Sequence, residues 1–310
     1  MSGAGAPEGA AGGASASSSE PSRSSSGELS GRGAPRRSAP LGVFDSGLGG
    51  LTVVRALGEL LPAEDIVYLG DTARVPYGTR SAETVVRYAR GCAALLLEHE
   101  VKALVIACNT VSAVAVELLR AELDLPVLGV VEPGAEAAVR AAEATGARRI
   151  GVLGTAGTVR SGAYPRAVGR LSTRFEVVAQ PAPLLVPLVE EGWLEGDVPR
   201  LAVERYLAPL IEAEVGAIVL GCTHYPLLRP LIERAAEALA GRPIPVVDSA
   251  EATARQTEAL LQERGLGQEP GHLGGLQVLV SDAPASFATS AERFLGYPVR
   301  ELRQVDVVLG

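Results

Sequence analysis

Nine short apolar runs, at 42–44, 66–69, 103–106, 127–130, 150–153, 176–178, 217–220, 245–247 and 278–280, punctuate the chain after residue 40. Each is continuous and rich in Val, Ile and Leu, with no polar alternation. That is the pattern of strands covered on both faces by helices. Between the runs lie stretches of helical period. One starts at Thr52 and lines up Val53, Val54, Leu57, Leu60 and Leu61 on one stripe. Others fall near 82–98, 111–122, 134–144, 200–213, 227–240 and 251–263. Strand–helix alternation of this kind predicts an α/β fold with mainly parallel, doubly wound sheets. In such sheets ligands bind beyond the carboxyl ends of strands, so the residues that end the runs are where chemistry is expected.

The 310 residues suffice for one large domain or two ordinary ones, and 47% apolar content supplies a sizeable core. Residues 1–40 differ in texture: Gly, Ala, Ser and Pro dominate, and Met1 and Leu29 are the only large apolar side chains. This composition predicts a disordered tail, because it cannot bury enough surface to offset its ordering entropy. The tail lacks an apolar segment of the roughly 7–15 residues that a secretory signal carries. No run reaches the roughly 18 apolar residues of a membrane span. The net charge is −8; the tail contributes +1, so the rest carries −9, which argues against broad contact with nucleic-acid phosphates. Three cysteines, Cys92, Cys108 and Cys222, do not make a disulfide framework, and a reducing cytoplasm is the expected location.

Two strand ends echo each other. Val105-Ile106-Ala107-Cys108-Asn109-Thr110 and Val219-Leu220-Gly221-Cys222-Thr223-His224 each run from apolar strand residues through a small residue to a cysteine, then to polar residues opening a helix. The cysteines are 222 − 108 = 114 residues apart, about one small domain. Two similar halves facing each other would aim two thiols at one cleft from opposite sides. That arrangement suits inversion of a stereocentre, in which one group removes a proton from one face and another delivers a proton to the other. Thiols can serve in either protonation state when tuned, and a following helix N-terminus favours thiolate. Asp45, ending the first run, and His224 are the expected proton partners. Backbone N–H groups and nearby hydroxyls and amides would hold substrate carboxylates.

Other readings of the same residues are weaker. Cys92 lies inside a helical stretch and reads as a small core residue. Cys108 with Cys222-Thr223-His224 matches no common zinc spacing, and there is no C-x-x-C redox pair. Asp45-Ser46-Gly47-Leu48-Gly49-Gly50 lacks the P-loop Gly-Lys-Ser/Thr and misses the G-x-G-x-x-G spacing, so a turn approaching a small carboxylate fits better. His99 and His272 read as surface residues. A two-lobed binding protein without catalysis would also suit the pattern, although it has no need of the second cysteine.

Longer strings carry a family resemblance. Gly42-Val43-Phe44-Asp45-Ser46-Gly47-Leu48-Gly49-Gly50, Asp71-Thr72-Ala73-Arg74-Val75-Pro76-Tyr77-Gly78, Ala107-Cys108-Asn109-Thr110, Gly154-Thr155-Ala156-Gly157-Thr158, Val186-Pro187-Leu188-Val189-Glu190 and Leu220-Gly221-Cys222-Thr223-His224-Tyr225-Pro226 resemble glutamate racemase signatures, in order. The resemblance implies cofactor-independent interconversion of L- and D-glutamate, with no metal, serving peptidoglycan. It implies two α/β lobes, one of residues 41–131 plus 248–310 and one of 132–247. By motif position it makes Cys108 and Cys222 the catalytic pair, assisted by Asp45, Glu190 and His224. It places Asp45, Ser46, Tyr77, Gly78, Asn109, Thr110, Thr223 and His224 at the substrate, with Thr155 and Thr158. A homodimer, a peptidoglycan-precursor activator and a contact with DNA gyrase are partners compatible with it.

Overall fold

A computed structural model of the chain describes residues 36–309. The stretch read as a tail therefore lies outside the described residues up to 35, and its last five residues are a correction. Arg37 Nε donates to Gly267 O at 2.8 Å, Arg37 O accepts from Lys102 Nζ at 2.7 Å, and Lys102 N donates to Pro40 O at 2.9 Å. The folded body begins at 36, not at 41. Most of these links use backbone carbonyls, to which composition is blind.

Ten strands occur among the described residues: β1 Leu41–Asp45, β2 Ile66–Gly70, β3 Ala103–Ile106, β4 Val127–Gly129, β5 Arg149–Gly154, β6 Glu176–Pro181, β7 Ala217–Gly221, β8 Val246–Asp248, β9 Leu276–Val280 and β10 Leu302–Gln304. The helices are α1 Leu51–Leu60, α2 Ala82–Glu98, α3 Asn109–Glu122, α4 Val131–Thr145, α5 Ala156–Ser161, α6 Ala163–Leu171, α7 Leu185–Glu190, α8 Asp197–Glu212, α9 Arg229–Ala240, α10 Ser249–Arg264 and α11 Pro284–Leu295. All nine apolar runs are strands. One sheet has the order β10-β9-β2-β1-β3-β4 and the other β6-β5-β7-β8, and every pairing is parallel. The chain thus leaves the first sheet after β4, builds the second, and returns to add β9 and β10 to the first.

Both faces of the central strands of each sheet are buried, while the edge strands β6 and β10 are only partly covered. In β1, Leu41 and Val43 point into a core shared with Val53, Val54 and Leu57 of α1, while Phe44 points into another formed with Val85 and Leu96 of α2. In β7, Ile218 and Leu220 join the first of these cores, and Ala217 and Val219 pack with Ala138 of α4 and Val168 of α6. The first core therefore runs continuously between the two sheets. Full burial of each such aliphatic side chain stabilises by roughly 2 kcal/mol. Cys92 is fully buried beside the first sheet, as a core residue. No helix among the described residues is long and apolar enough to cross a membrane.

The amino ends of the first sheet are pinned by a buried ion pair. Lys102, the single lysine of the chain, pairs with Glu64, and both side chains are almost wholly buried. Glu64 Oε1 also accepts from Gln268 N at 2.8 Å. With the Lys102 bond to Arg37 O, this cluster ties four distant segments together, those of Arg37, Glu64, Lys102 and Gln268. Removing one member of a buried pair strands the other charge and costs about 3 kcal/mol or more. Lys102→Met is accordingly expected to lower the urea midpoint by that equivalent, and Lys102→Met with Glu64→Gln to recover part of the loss.

Candidate active site

The strand orders create a crevice in each sheet. β1 and β3 are neighbours whose connections diverge, β1 leading to β2 on one side and β3 to β4 on the other; β5 and β7 diverge likewise, to β6 and to β8. Ligands of open α/β sheets sit in such crevices. Asp45 ends β1 and Cys108 follows β3; Gly154 ends β5 and Cys222 follows β7. Both echoing cysteines therefore stand at the switch point of their own sheet.

On the first side, Asp45 Oδ2 accepts from Gly47 N at 3.1 Å and Gly50 N at 2.9 Å, which closes the glycine-rich turn. Cys108 occupies the N-cap position of α3, and its thiol donates to Ser46 Oγ at 3.6 Å. Burial, then the nearby Asp45 carboxylate, push the Cys108 thiol well up from its ordinary value, against the pull of the Val111 N–H and Ser46. Cys222 is close enough to add to that push. Two buried polar atoms of this side, Asp45 Oδ1 and Asn109 Nδ2, have no partner among the described residues.

On the second side, Cys222 Sγ lies 3.9 Å from His224 Nδ1, and His224 Nε2 lies 2.9 Å from Glu190 Oε1. Glu190 ends the short helix α7, whose last carbonyls, those of Val189 and Glu190, accept from Arg293 Nη1 of α11 at 3.1 and 2.8 Å. The Phe294 ring meets the imidazole edge-on at 5.2 Å. Burial works against charge on His224, but hydrogen bonds to Cys222 and Glu190, together with the charges of Cys222 and Asp45, push its pKa up to about 10. At neutral pH it is an imidazolium with both N–H groups engaged.

The two sides are stitched together around the gap. Thr52 Oγ1 donates to Thr223 O at 3.1 Å. Thr110 Oγ1 lies 2.9 Å from Thr155 Oγ1 and 3.4 Å from Thr158 Oγ1. Gly78 packs on Thr155, and a Cβ added at Gly49 would collide with Thr223 Oγ1 and the His224 ring. Close approach of the glycine-rich turn to the Cys222 loop is thus why that position is glycine.

Comparison with known proteins fits this arrangement. The family model described as Asp/Glu/Hydantoin racemase matches residues 41–257. The chain belongs to that family. It is 48% identical over 267 residues to a glutamate racemase of Geobacter metallireducens, covering 86% of this chain and 96% of the relative. It is 49% identical over 273 residues to that of Neisseria meningitidis serogroup C, covering 88% and 97%. Among solved structures, the Bacillus anthracis glutamate racemase isoform RacE1 superposes with a TM-score of 0.82 at 35% identity, covering 88% of this chain and 99% of that one. The Francisella tularensis glutamate racemase, solved with D-glutamate, gives 0.79 at 33% identity, covering 87% and 98%.

The structure gathers Asp45, Ser46, Cys108, Asn109, Thr110, Thr155, Thr158, Cys222, Thr223 and His224 around the facing strand ends, with Glu190 reaching His224 from the end of α7. Tyr77 is the exception among the expected residues. Its hydroxyl turns back into the first half and donates to Asp71, and its ring meets that of Tyr88 at 5.1 Å with the planes tilted by 51°, so the backbone of the Tyr77–Gly78 turn is what meets the second half. Asp248, also a strand end, caps α10 by accepting from Ala250 N at 3.0 Å and pairs with Arg229. Asp71 was missed, although the strand-end rule applied to β2 points straight at it; it also accepts from Ser281 Oγ at 2.7 Å and Arg74 Nη1 at 2.6 Å. Thr52 in the first turn of α1 and Arg293 in the last turn of α11 lie within helices, where the strand-end rule does not reach.

The raised pKa of His224 has a signed consequence. A histidine whose folded pKa exceeds the unfolded value contributes stability that is complete below about 6.5 and is lost as pH rises through the folded pKa of about 10. The stability difference between wild type and His224→Asn, from urea titrations, is therefore expected to shrink steadily between pH 7 and 10. A difference that stays flat over that range contradicts the buried imidazolium.

Proposed function

We propose that this chain interconverts L- and D-glutamate by passing protons across Cα between Cys108 and Cys222, without a cofactor. The observation that carries the reading is the placement of one buried cysteine at the switch point of each sheet, each with its own proton partners. The substrate comes from the relatives: the Francisella tularensis enzyme was solved with D-glutamate, and the Escherichia coli glutamate racemase, at 27% identity and a TM-score of 0.68, with L-glutamate and the activator UDP-MurNAc-ala.

In this scheme the thiolate of one cysteine takes the α-hydrogen as a proton, forming S–H. The C–H electron pair stays on Cα and spreads into the α-carboxylate. The thiol opposite then gives its proton to the other face of Cα and becomes the thiolate. The product has the inverted configuration, and the two sulfurs have exchanged protonation states. Asp45 beside Cys108 and His224 beside Cys222 are the groups placed to exchange protons with the two sulfurs, and Glu190 holds the imidazole in place. The free Asp45 Oδ1 suits the substrate ammonium, and the free Asn109 Nδ2 and the hydroxyls of Ser46, Thr110 and Thr223 suit its carboxylates. D-glutamate for peptidoglycan, made in the reducing cytoplasm, is the physiological role that follows.

Proton NMR in D₂O tests the reading. Wild type is expected to wash out the α-proton of L-glutamate and to bring optical rotation to zero, with L-aspartate and neutral amino acids far slower. Cys108→Ser and Cys222→Ser should each lose about 10³-fold or more in racemization, the scale of a missing acid or base. Wild type that leaves glutamate untouched while exchanging another acid refutes the substrate, and no exchange with any acid refutes the chemistry.

A further inference from the structure

We propose that Tyr164 is a positioning residue for substrate binding: it sets the orientation of the Asn109 amide, so that Nδ2 and not Oδ1 faces the substrate. The inference rests on the racemase reading and names a residue outside its motifs that the reading requires.

Tyr164 belongs to α6 and packs on the second sheet, yet its hydroxyl reaches the first half and donates to Asn109 Oδ1 at 2.8 Å. Its side chain is almost fully buried, at 2% exposure. Burial first, then the charge of Cys222, push its pKa well up, so the phenol keeps its proton and remains a donor. The ring is held on two sides by glycines. A Cβ at Gly221, the residue before Cys222, would stand 3.1 Å from Tyr164 Cε2, and one at Gly134 would stand 3.1 Å from Oη. At 3.0–3.4 Å a neighbour must give way, so both positions keep room for this ring. One side chain thus leans on the residue before Cys222 while bonding the residue after Cys108.

An asparagine amide has two orientations of nearly equal shape, and its hydrogen bonds decide between them. With Oδ1 accepting from Tyr164, both N–H bonds point elsewhere, and Nδ2 is left buried without a partner among the described residues. An unpartnered buried N–H group is costly unless a ligand satisfies it. A carboxylate of the glutamate substrate supplies the acceptor. In the opposite orientation Asn109 would present its carbonyl oxygen to that anion, and the Tyr164 proton would lose its acceptor. The phenol therefore acts as the selector for the binding-competent amide. Since Asn109 sits beside Cys108 and not between substrate and base, the effect should fall on binding.

Tyr164→Phe keeps the ring against Gly221 and Gly134 and removes only the hydroxyl. It is expected to raise KM for L- and D-glutamate alike by roughly tenfold, with kcat changed much less, as for loss of one hydrogen bond to a charged ligand. The dissociation constant of D-glutamate measured by calorimetry in a Cys108→Ser background should rise by the same factor. Asn109→Ala should raise KM by itself, and adding Tyr164→Phe to it should raise KM no further. Effects that multiply in the double variant, or a Tyr164→Phe enzyme with wild-type KM, overturn the inference and leave Tyr164 a packing residue. Failure of the racemase reading itself is seen separately, as wild type that does not racemize glutamate.

Discussion

A single apolar core fills the space between the two parallel sheets, and where every polar strand tip can go depends on it. Leu41 and Val43 of one sheet and Leu153, Ile218 and Leu220 of the other contribute to that one cluster. Parallel strands send all their carboxyl ends the same way, so burying a face of each sheet in common brings two rows of strand tips toward each other. Helix N-termini gather at the same place, because each helix starts where a strand stops. The cleft needs no special element: it is what remains when two switch points meet.

Within that frame the two cysteines are chemically unlike, although their local sequences echo each other. Cys108 faces a buried carboxylate and keeps its proton. Cys222 faces an imidazolium that is itself anchored by Glu190. Burial raises the cost of charge on both sides; what differs is the sign of the nearest partner. The echo between the two strand ends comes from the fold, and their chemical difference comes from two side chains, Asp45 and His224.

The sequence made the strands legible because burial on both faces leaves an unbroken apolar run, and β1 to β9 all carry one. It hid β10, whose Leu302-Arg303-Gln304 is short and mostly exposed at a sheet edge. It also hid α5 and α7, of six residues each, and α6, which contains Pro165 and Gly169, because about two turns give no readable period. The cysteines, Asp45 and His224 were legible as polar residues placed immediately after apolar runs. Glu190 was visible only through family likeness, since it ends a helix and reaches the site sideways. Tyr164 and Arg293 lie in helices with no local mark of function; their roles arise from contacts across more than 50 residues of sequence, Tyr164 to Asn109 at a separation of 55 and Arg293 to Glu190 at 103.

The buried Lys102 has a consequence for how the molecule meets its surroundings. It is the only lysine, its side chain is fully inaccessible, and every other strong base is arginine. No side-chain amine is therefore open to acylation, Schiff-base formation or amine-directed coupling, and arginine guanidinium groups, which hold their proton at any physiological pH, supply most of the positive charge. Covalent labelling of this protein through its side chains must use groups other than amines, such as carboxylates, guanidinium groups or the exposed phenol of Tyr297, because the thiols are buried.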